Sequence, residues 1–161
     1  MMMTDYVIGL DLGTKCGWAV LDIAGNRVDS GHWNFQPKRF ESAGIRYLKF
    51  AKELRTLIDK YPGCKVGFEA VHRHRGVAAA HVYGGLLATM QSVCDSEGPV
   101  VPYLGIGVGT IKKHATGKGN AKKHEMIESA IQRWGGDGWE TNSDDEADAL
   151  WVASNFIEEL F

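Results

Sequence analysis

The stretch DYVIGLDLGTKCGWAVLDIAGNRVDSGHWNF, Asp5 to Phe35, decides the fold. Its first β-prone run, Asp5–Leu12, stops at Gly13. Gly17–Ile23 is a second run, Gly25-Asn26 has the character of a hairpin turn, and Arg27–Phe35 is a third run. Three strands joined by short turns read as an antiparallel meander.

Beyond Phe35 the hydrophobic period changes. Ile45, Tyr47, Leu48, Ala51, Leu54, Leu57 and Ile58 recur every three or four residues with bases between them, which predicts an amphipathic helix. Tyr61-Pro62-Gly63 ends it. Cys64–Ala70 is a compact strand running into the basic stretch His72-Arg73-His74-Arg75. Val77 to Asp95 reads as a small, apolar helix in which adjacent Gly84 and Gly85 suit close backbone packing, either against the sheet or against a second subunit. Val100–Leu104, after Pro99, is a short strand. A Gly- and Lys-rich connection leads to a helix over about Ala121–Trp134, and Gly135–Gly138 is a loop. Ser143 starts the last helix, with Glu146 three residues later completing a capping box. Ala147, Leu150, Trp151, Ser154 and Ile157 form its buried face. The 161 residues suit one domain with one core, 1–161, and contain no internal repeat.

Composition excludes several classes. No apolar run approaches the roughly 20 residues of a membrane helix. The N-terminal MMMTDYVIGL lacks the basic start of a signal peptide. Cys16, Cys64 and Cys94 are odd in number and form no CxxC pair, so neither a disulfide framework nor a thiolate zinc site is expected, and a reducing cytoplasm is the natural compartment. The net charge of −2 alone argues against a polyanion partner, but its distribution argues for one. Asp137–Phe161 hold eight acids and no Lys or Arg, whereas residues 1–136 hold all 18 bases against 12 acids. Lys38–Arg75 and Thr110–Glu125 are the basic zones. Basic zones beside one acidic zone suit a polyanion held next to metal ions; the alternative is ordinary solvated helix faces.

Four acids stand out. Asp11 and Glu69 each end an apolar strand, where a carboxylate is costly unless paired or metal-bound. Asp145 and Asp148 lie three apart on the last helix, hence on nearly one face. Hard oxygen ligands of this kind suit Mg²⁺ or Mn²⁺, and two such ions can assist phosphodiester hydrolysis. Taken singly, Asp145 can serve the helix dipole, Asp11 an Asx-turn and Glu69 a buried ion pair.

The motif Gly9-Leu10-Asp11-Leu12-Gly13-Thr14-Lys15-Cys16-Gly17-Trp18-Ala19 resembles the first-strand motif of RuvC-type Holliday junction resolvases. Phe68-Glu69 resembles the family's second acid, and Asp145-Glu146-Ala147-Asp148-Ala149-Leu150 its C-terminal D-x-x-D-A-L motif. Ile111-Lys112 and the Gly117–Lys123 stretch resemble its lysine-bearing segment. The resemblance runs from about residue 5 to residue 156. It implies an α/β, ribonuclease H-like fold: a mixed five-stranded sheet, three antiparallel strands then two parallel, flanked by helices. It implies a homodimer that resolves a four-way or other branched DNA junction by paired cleavage with Mg²⁺, for which Mn²⁺ would substitute, two ions per site. By motif match Asp11, Glu69, Asp145 and Asp148 become metal ligands and catalytic residues, and Lys112 and Lys123 lie near the scissile phosphate, Lys123 in a catalytic role. Lys113, Lys118 and Lys122 are then expected to face DNA with them. The family's proline is replaced by Leu12. In place of the aromatic residue that many members carry after the second acid stand His72, Arg73, His74 and Arg75, a basic loop expected to face DNA. A phage-type member in a bacterial or phage-infected cell is the expected source.

Three other readings compete. A YqgF-like RNA-processing nuclease shares the fold and the Asp11-type motif. A sugar-kinase-like ATPase shares Asp11-Leu12-Gly13-Thr14 but needs a second domain to enclose a nucleotide, so no nucleotide cofactor is expected. A non-catalytic junction-binding scaffold would not need the four acids, which repel DNA without metal.

Overall fold

The computed structural model describes residues 5–96 and 100–160; the leader reading at the first four residues and the Pro99 said to precede the fifth strand lie outside them. The elements run β1 (Tyr6–Asp11), β2 (Lys15–Asp22), β3 (Arg27–Asn34), α1 (Ile45–Lys60), β4 (Lys65–Ala70), α2 (Val77–Cys94), β5 (Tyr103–Gly107), α3 (Val108–Thr116), α4 (Lys123–Trp134) and α5 (Asp144–Leu160). The strands form one sheet in the order β3-β2-β1-β4-β5. The first three pair antiparallel, and β4 and β5 join in parallel, as expected. In the β2–β3 turn Gly25 takes φ 88°, and the Asp22 carboxylate accepts hydrogen bonds from the Ala24 and Asn26 N–H groups.

Period-two alternation divides the sheet into two faces. Ile8, Leu10, Val20, Val66 and Phe68 point to the side covered by α1 and α2. Val7, Ala19 and Leu21 point to the side covered by α5. Across that second face Ala19, Gly9 and Gly67 stand in register on β2, β1 and β4, forming a trough of small residues. The trough holds α5 against the sheet. A methyl group at Gly9 would collide with the Ala149 carbonyl, one at Gly17 with the Asp145 carbonyl, and one at Gly67 would press on Phe156. With α3 and α4 on its other side, α5 is buried from Glu146 to Phe156 at all but Asp148 and Ser154, well beyond the single face that its spacing suggested.

Several expectations change. The Gly- and Lys-rich connection contains a helix, α3, which buries Ile111. The fifth strand begins at Tyr103, not Val100, and the Gly135–Asp137 segment is a 3-10 turn rather than a plain loop. In α1 Leu48 is 68% exposed, while Phe50 occupies the core. Ser143 caps α5 through its Oγ, which accepts from the Glu146 N–H at 3.1 Å, but the box is not reciprocal. The Glu146 carboxylate instead accepts from the Ser30 hydroxyl at 2.7 Å, and Ser30 Oγ accepts from Arg27 Nε at 2.6 Å. Gly85 lies against the Tyr47 ring of α1, so its close approach is intramolecular; Gly84 has no neighbour within 4 Å of a would-be methyl group. No helix among the described residues is long and apolar enough to cross a membrane.

Candidate active site

Asp11 and Glu69 follow the same rule as the trough. Asp11 lies two residues beyond Gly9 and Glu69 two beyond Gly67, so both carboxylates emerge on the α5 face at the ends of adjacent parallel strands. Asp148 faces them from the first turns of α5. Carboxylate oxygens of Asp11, Glu69 and Asp148 all lie within 4.8 Å of one another. Asp145, one turn earlier, lies outside that group of three and is linked to it through Asp11.

Crowding these acids has an electrostatic cost. Burial raises the Asp11 carboxyl well above the usual range, and Glu69, Asp148 and Asp145 raise it further. Burial also raises Glu69, and burial and Asp144 raise Asp145. Asp148 is pushed up to about 7 by burial, then by Glu69, Asp144 and Asp145. Four acids that resist joint ionisation are the environment in which a divalent cation gains most by replacing protons. Their hard oxygen donors fit Mg²⁺ or Mn²⁺.

The charge of Lys112, on α3, opposes the rise at both Glu69 and Asp148, and those of Lys123 and His32 oppose it at Asp145. α3 is held in place by His114, which contacts Ser154 Oγ at 2.9 Å and Glu158 Oε2 at 2.7 Å, both on α5. Lys123 lies at the opposite rim, 3.5 Å from Asp144 and 85% exposed. The remaining lysines spread outward. Lys113 and Lys122 are exposed, and Lys118 pairs with Glu125 at 3.4 Å. In the loop after β4, His72, Arg73 and Arg75 are exposed, whereas His74 packs on Tyr83 with ring centroids 4.9 Å apart. Among the described residues, His72 and His74 belong to no metal-ligating group.

Apart from His74 and Asp145, the sequence reading missed the residues that line two cavities beside the acids. One cavity of about 470 Å³ is lined by Thr14, Arg46, His74 and Tyr83. Another of about 370 Å³ is lined by Lys15, His32, Asn34 and Asp145. Strand alternation from Asp11 predicts nothing about these residues. They come from other elements, and only the sheet order brings them to the site.

No family model matches the chain. Its curated relatives include the crossover junction endodeoxyribonuclease RuvC of Chlamydia trachomatis serovar L2, 27% identical over 130 residues, or 77% of this chain and 74% of the relative. The serovar A enzyme matches equally. Among solved structures, Thermus thermophilus RuvC in complex with a Holliday junction substrate superposes with a TM-score of 0.78 at 22% identity, over 92% of this chain and 90% of that one. The chain is thus similar in sequence to RuvC-type resolvases and shares their fold. The yeast mitochondrial Holliday junction resolvase Ydc2 shares the fold more distantly, with a TM-score of 0.63 at 13% identity over all of this chain and 86% of its own. The five-stranded mixed sheet with flanking helices is therefore the ribonuclease H-like arrangement that the motifs implied.

Proposed function

We propose that this protein, read as one nuclease domain, is a metal-dependent, structure-selective endonuclease that resolves four-way or other branched DNA junctions by paired phosphodiester hydrolysis. The supporting observation is the convergence of Asp11, Glu69 and Asp148 from three separate elements to within 4.8 Å. Asp145 is the fourth ligand in this reading, and the set is large enough for two ions. Mg²⁺, or Mn²⁺ in its place, would supply charge stabilisation at the phosphate and a water acidic enough to ionise near neutral pH. The chain's own residues then divide the remaining work. Asp11 and Glu69, on paired strands, give the centre a rigid floor. Asp145 and Asp148 close it from a helix whose height the glycine trough sets. Lys112 offsets negative charge gathering at the scissile phosphate. Lys123, on the opposite rim, contacts the same strand. The exposed bases of the His72–Arg75 loop and Lys113, Lys118 and Lys122 hold the flanking backbone.

Paired cuts need two active sites, and the surface of α2 suits a contact between two copies. Val77, His81, Gly84 and Ala88 follow one another on its exposed side. All three cysteines are reduced and buried, as befits a cytoplasmic protein.

The deciding experiment incubates the protein with a labelled four-way DNA junction, matched duplex or single-stranded RNA, in Mg²⁺ or EDTA, beside Asp148→Asn. Paired, Mg²⁺-dependent cuts in the junction are expected. Asp148→Asn should lower the rate by more than the roughly 100-fold that loss of a supporting residue can cost a metal site, while still binding the junction in Ca²⁺. Cleavage of RNA in preference to the junction would move the assignment to RNA processing. Tight junction binding without cleavage in Mg²⁺ or Mn²⁺ would leave only a scaffold.

A further inference from the structure

Tyr83 sits at the end of the second turn of α2, behind the acids rather than among them. Its phenol oxygen donates a hydrogen bond to the Glu69 carbonyl at 2.9 Å and accepts one from the Val71 N–H at 3.0 Å. The two bonds straddle Ala70, the last residue of β4. The ladder between β1 and β4 runs as far as Leu10 opposite Phe68, one residue short of Glu69. Beyond it β4 is laddered on one side alone, to β5, with Glu69 opposite Ile106 and Ala70 opposite Gly107. The Tyr83 hydroxyl adds a second hold where the strand ends, and rotation of the backbone there would swing the Glu69 carboxylate. The same ring carries His74 on its face, so the residue that grips the end of β4 also touches the loop bearing Arg73 and Arg75.

We propose that Tyr83 is a positioning residue, which fixes the backbone on both sides of Ala70 so that Glu69 faces Asp11 and Asp148, and which ties that placement to the seating of DNA on the His72–Arg75 loop. Supporting groups around a metal site set how well its ligands converge, and their loss weakens affinity although they never touch the ion. A displacement of about 1 Å at a reacting centre can cost on the order of 100-fold in rate. Tyr83 contributes through one hydroxyl group, so Tyr83→Phe removes the grip and keeps the ring against His74. His74→Ala does the reverse: it frees the ring face and leaves both hydrogen bonds.

The inference rests on reading the four acids as a metal centre, and its test separates the two. Mn²⁺ binding is titrated by the loss of the free-ion paramagnetic resonance signal, for the unaltered protein, Tyr83→Phe, His74→Ala and Asp148→Asn, with and without a four-way DNA junction. Thermal unfolding is recorded alongside. Tyr83→Phe is expected to weaken Mn²⁺ binding about tenfold, with an unfolding midpoint only a few degrees lower. His74→Ala is expected to bind Mn²⁺ normally alone, but to lose the tightening that the junction produces in the unaltered protein. Unchanged Mn²⁺ affinity in Tyr83→Phe, whatever its unfolding midpoint, overturns the positioning role. Tightening by the junction that persists in His74→Ala overturns the link to DNA. If the unaltered protein shows no saturable Mn²⁺ uptake, the metal-centre reading fails and the role of Tyr83 fails with it. Uptake that Asp148→Asn abolishes and Tyr83→Phe leaves intact removes Tyr83 alone.

Discussion

Burial and three neighbouring acids push the Asp148 carboxyl up to about 7, against an ordinary value of 3.8. The folded protein therefore holds this proton more tightly than the unfolded chain does. The resulting stability is complete below about pH 4 and disappears as pH rises through about 7. Asp11, Glu69 and Asp145 shift in the same direction and add to the trend. In EDTA the unfolding midpoint should fall between about pH 4 and pH 7, the reverse of ordinary acid denaturation. Mg²⁺ at pH 8 should restore it, and Asp148→Asn should flatten the slope; a scanning-calorimetry series in EDTA checks both. The placement of the candidate acids was legible because alternation along a strand and three-residue spacing along a helix are local properties. Asp145 was ambiguous, since any acid in a first helical turn satisfies the dipole. Tyr83 left no trace in the sequence. Its partners are backbone atoms 12 and 14 residues away, and backbone partners carry no residue-type signature.

At the scale of elements, α5 is the component on which the rest depends. It touches the sheet through Asp145, Ala149, Ala153 and Phe156, and the residues opposite are glycines or alanine. Gly17→Ala has no room, because the added methyl meets backbone rather than a movable side chain. It should cost about 3 kcal/mol, read from urea unfolding, and should lower Mg²⁺-dependent cleavage by lifting Asp145 and Asp148 off the strand ends. The Arg27–Ser30–Glu146 relay ties the same helix to the edge strand, and Ser30→Ala should cost about 1–3 kcal/mol by leaving the buried Glu146 carboxylate unpartnered. The order of strands and helices was readable because each had its own period and its own terminating residues. α3 was not. It is only nine residues long, follows glycines at 105 and 107, contains Gly109 in its first turn, and buries Ile111 alone, so it shows no stripe. Its helix is fixed by contacts with α5 through His114, which are tertiary.

For the whole molecule, the near-zero net charge conceals a division of sign. Acids gather at the centre and around α5, while the loop after β4 and the rims carry bases. Junction affinity should therefore fall with salt, and Arg73→Ala with Arg75→Ala should reduce the slope of log K against log salt by roughly two, measured by fluorescence anisotropy in Ca²⁺. Gly84 offers a matching test of assembly, since among the described residues nothing outside its own helix backbone lies within 4 Å of a methyl group built on it. On the proposed dimer contact through α2, Gly84→Arg should leave the subunit folded but halve the mass seen by light scattering, turning paired cuts into single nicks; an unchanged mass would remove that contact. The seat of α5 in its glycine trough has a further, kinetic consequence. Asp11, Glu69 and Asp148 are distant along the chain; pairing of β1 with β4 brings the first two together, but Asp148 joins them only when this helix docks. A transition state that has not yet docked it lacks Asp148 and Asp145 and would hold an ion only weakly, so Mg²⁺ should act mainly on the rate of leaving the native state. Stopped-flow unfolding would then slow with Mg²⁺ while refolding keeps its pace, and the bound ion would act as a latch on a completed structure rather than a template for building it.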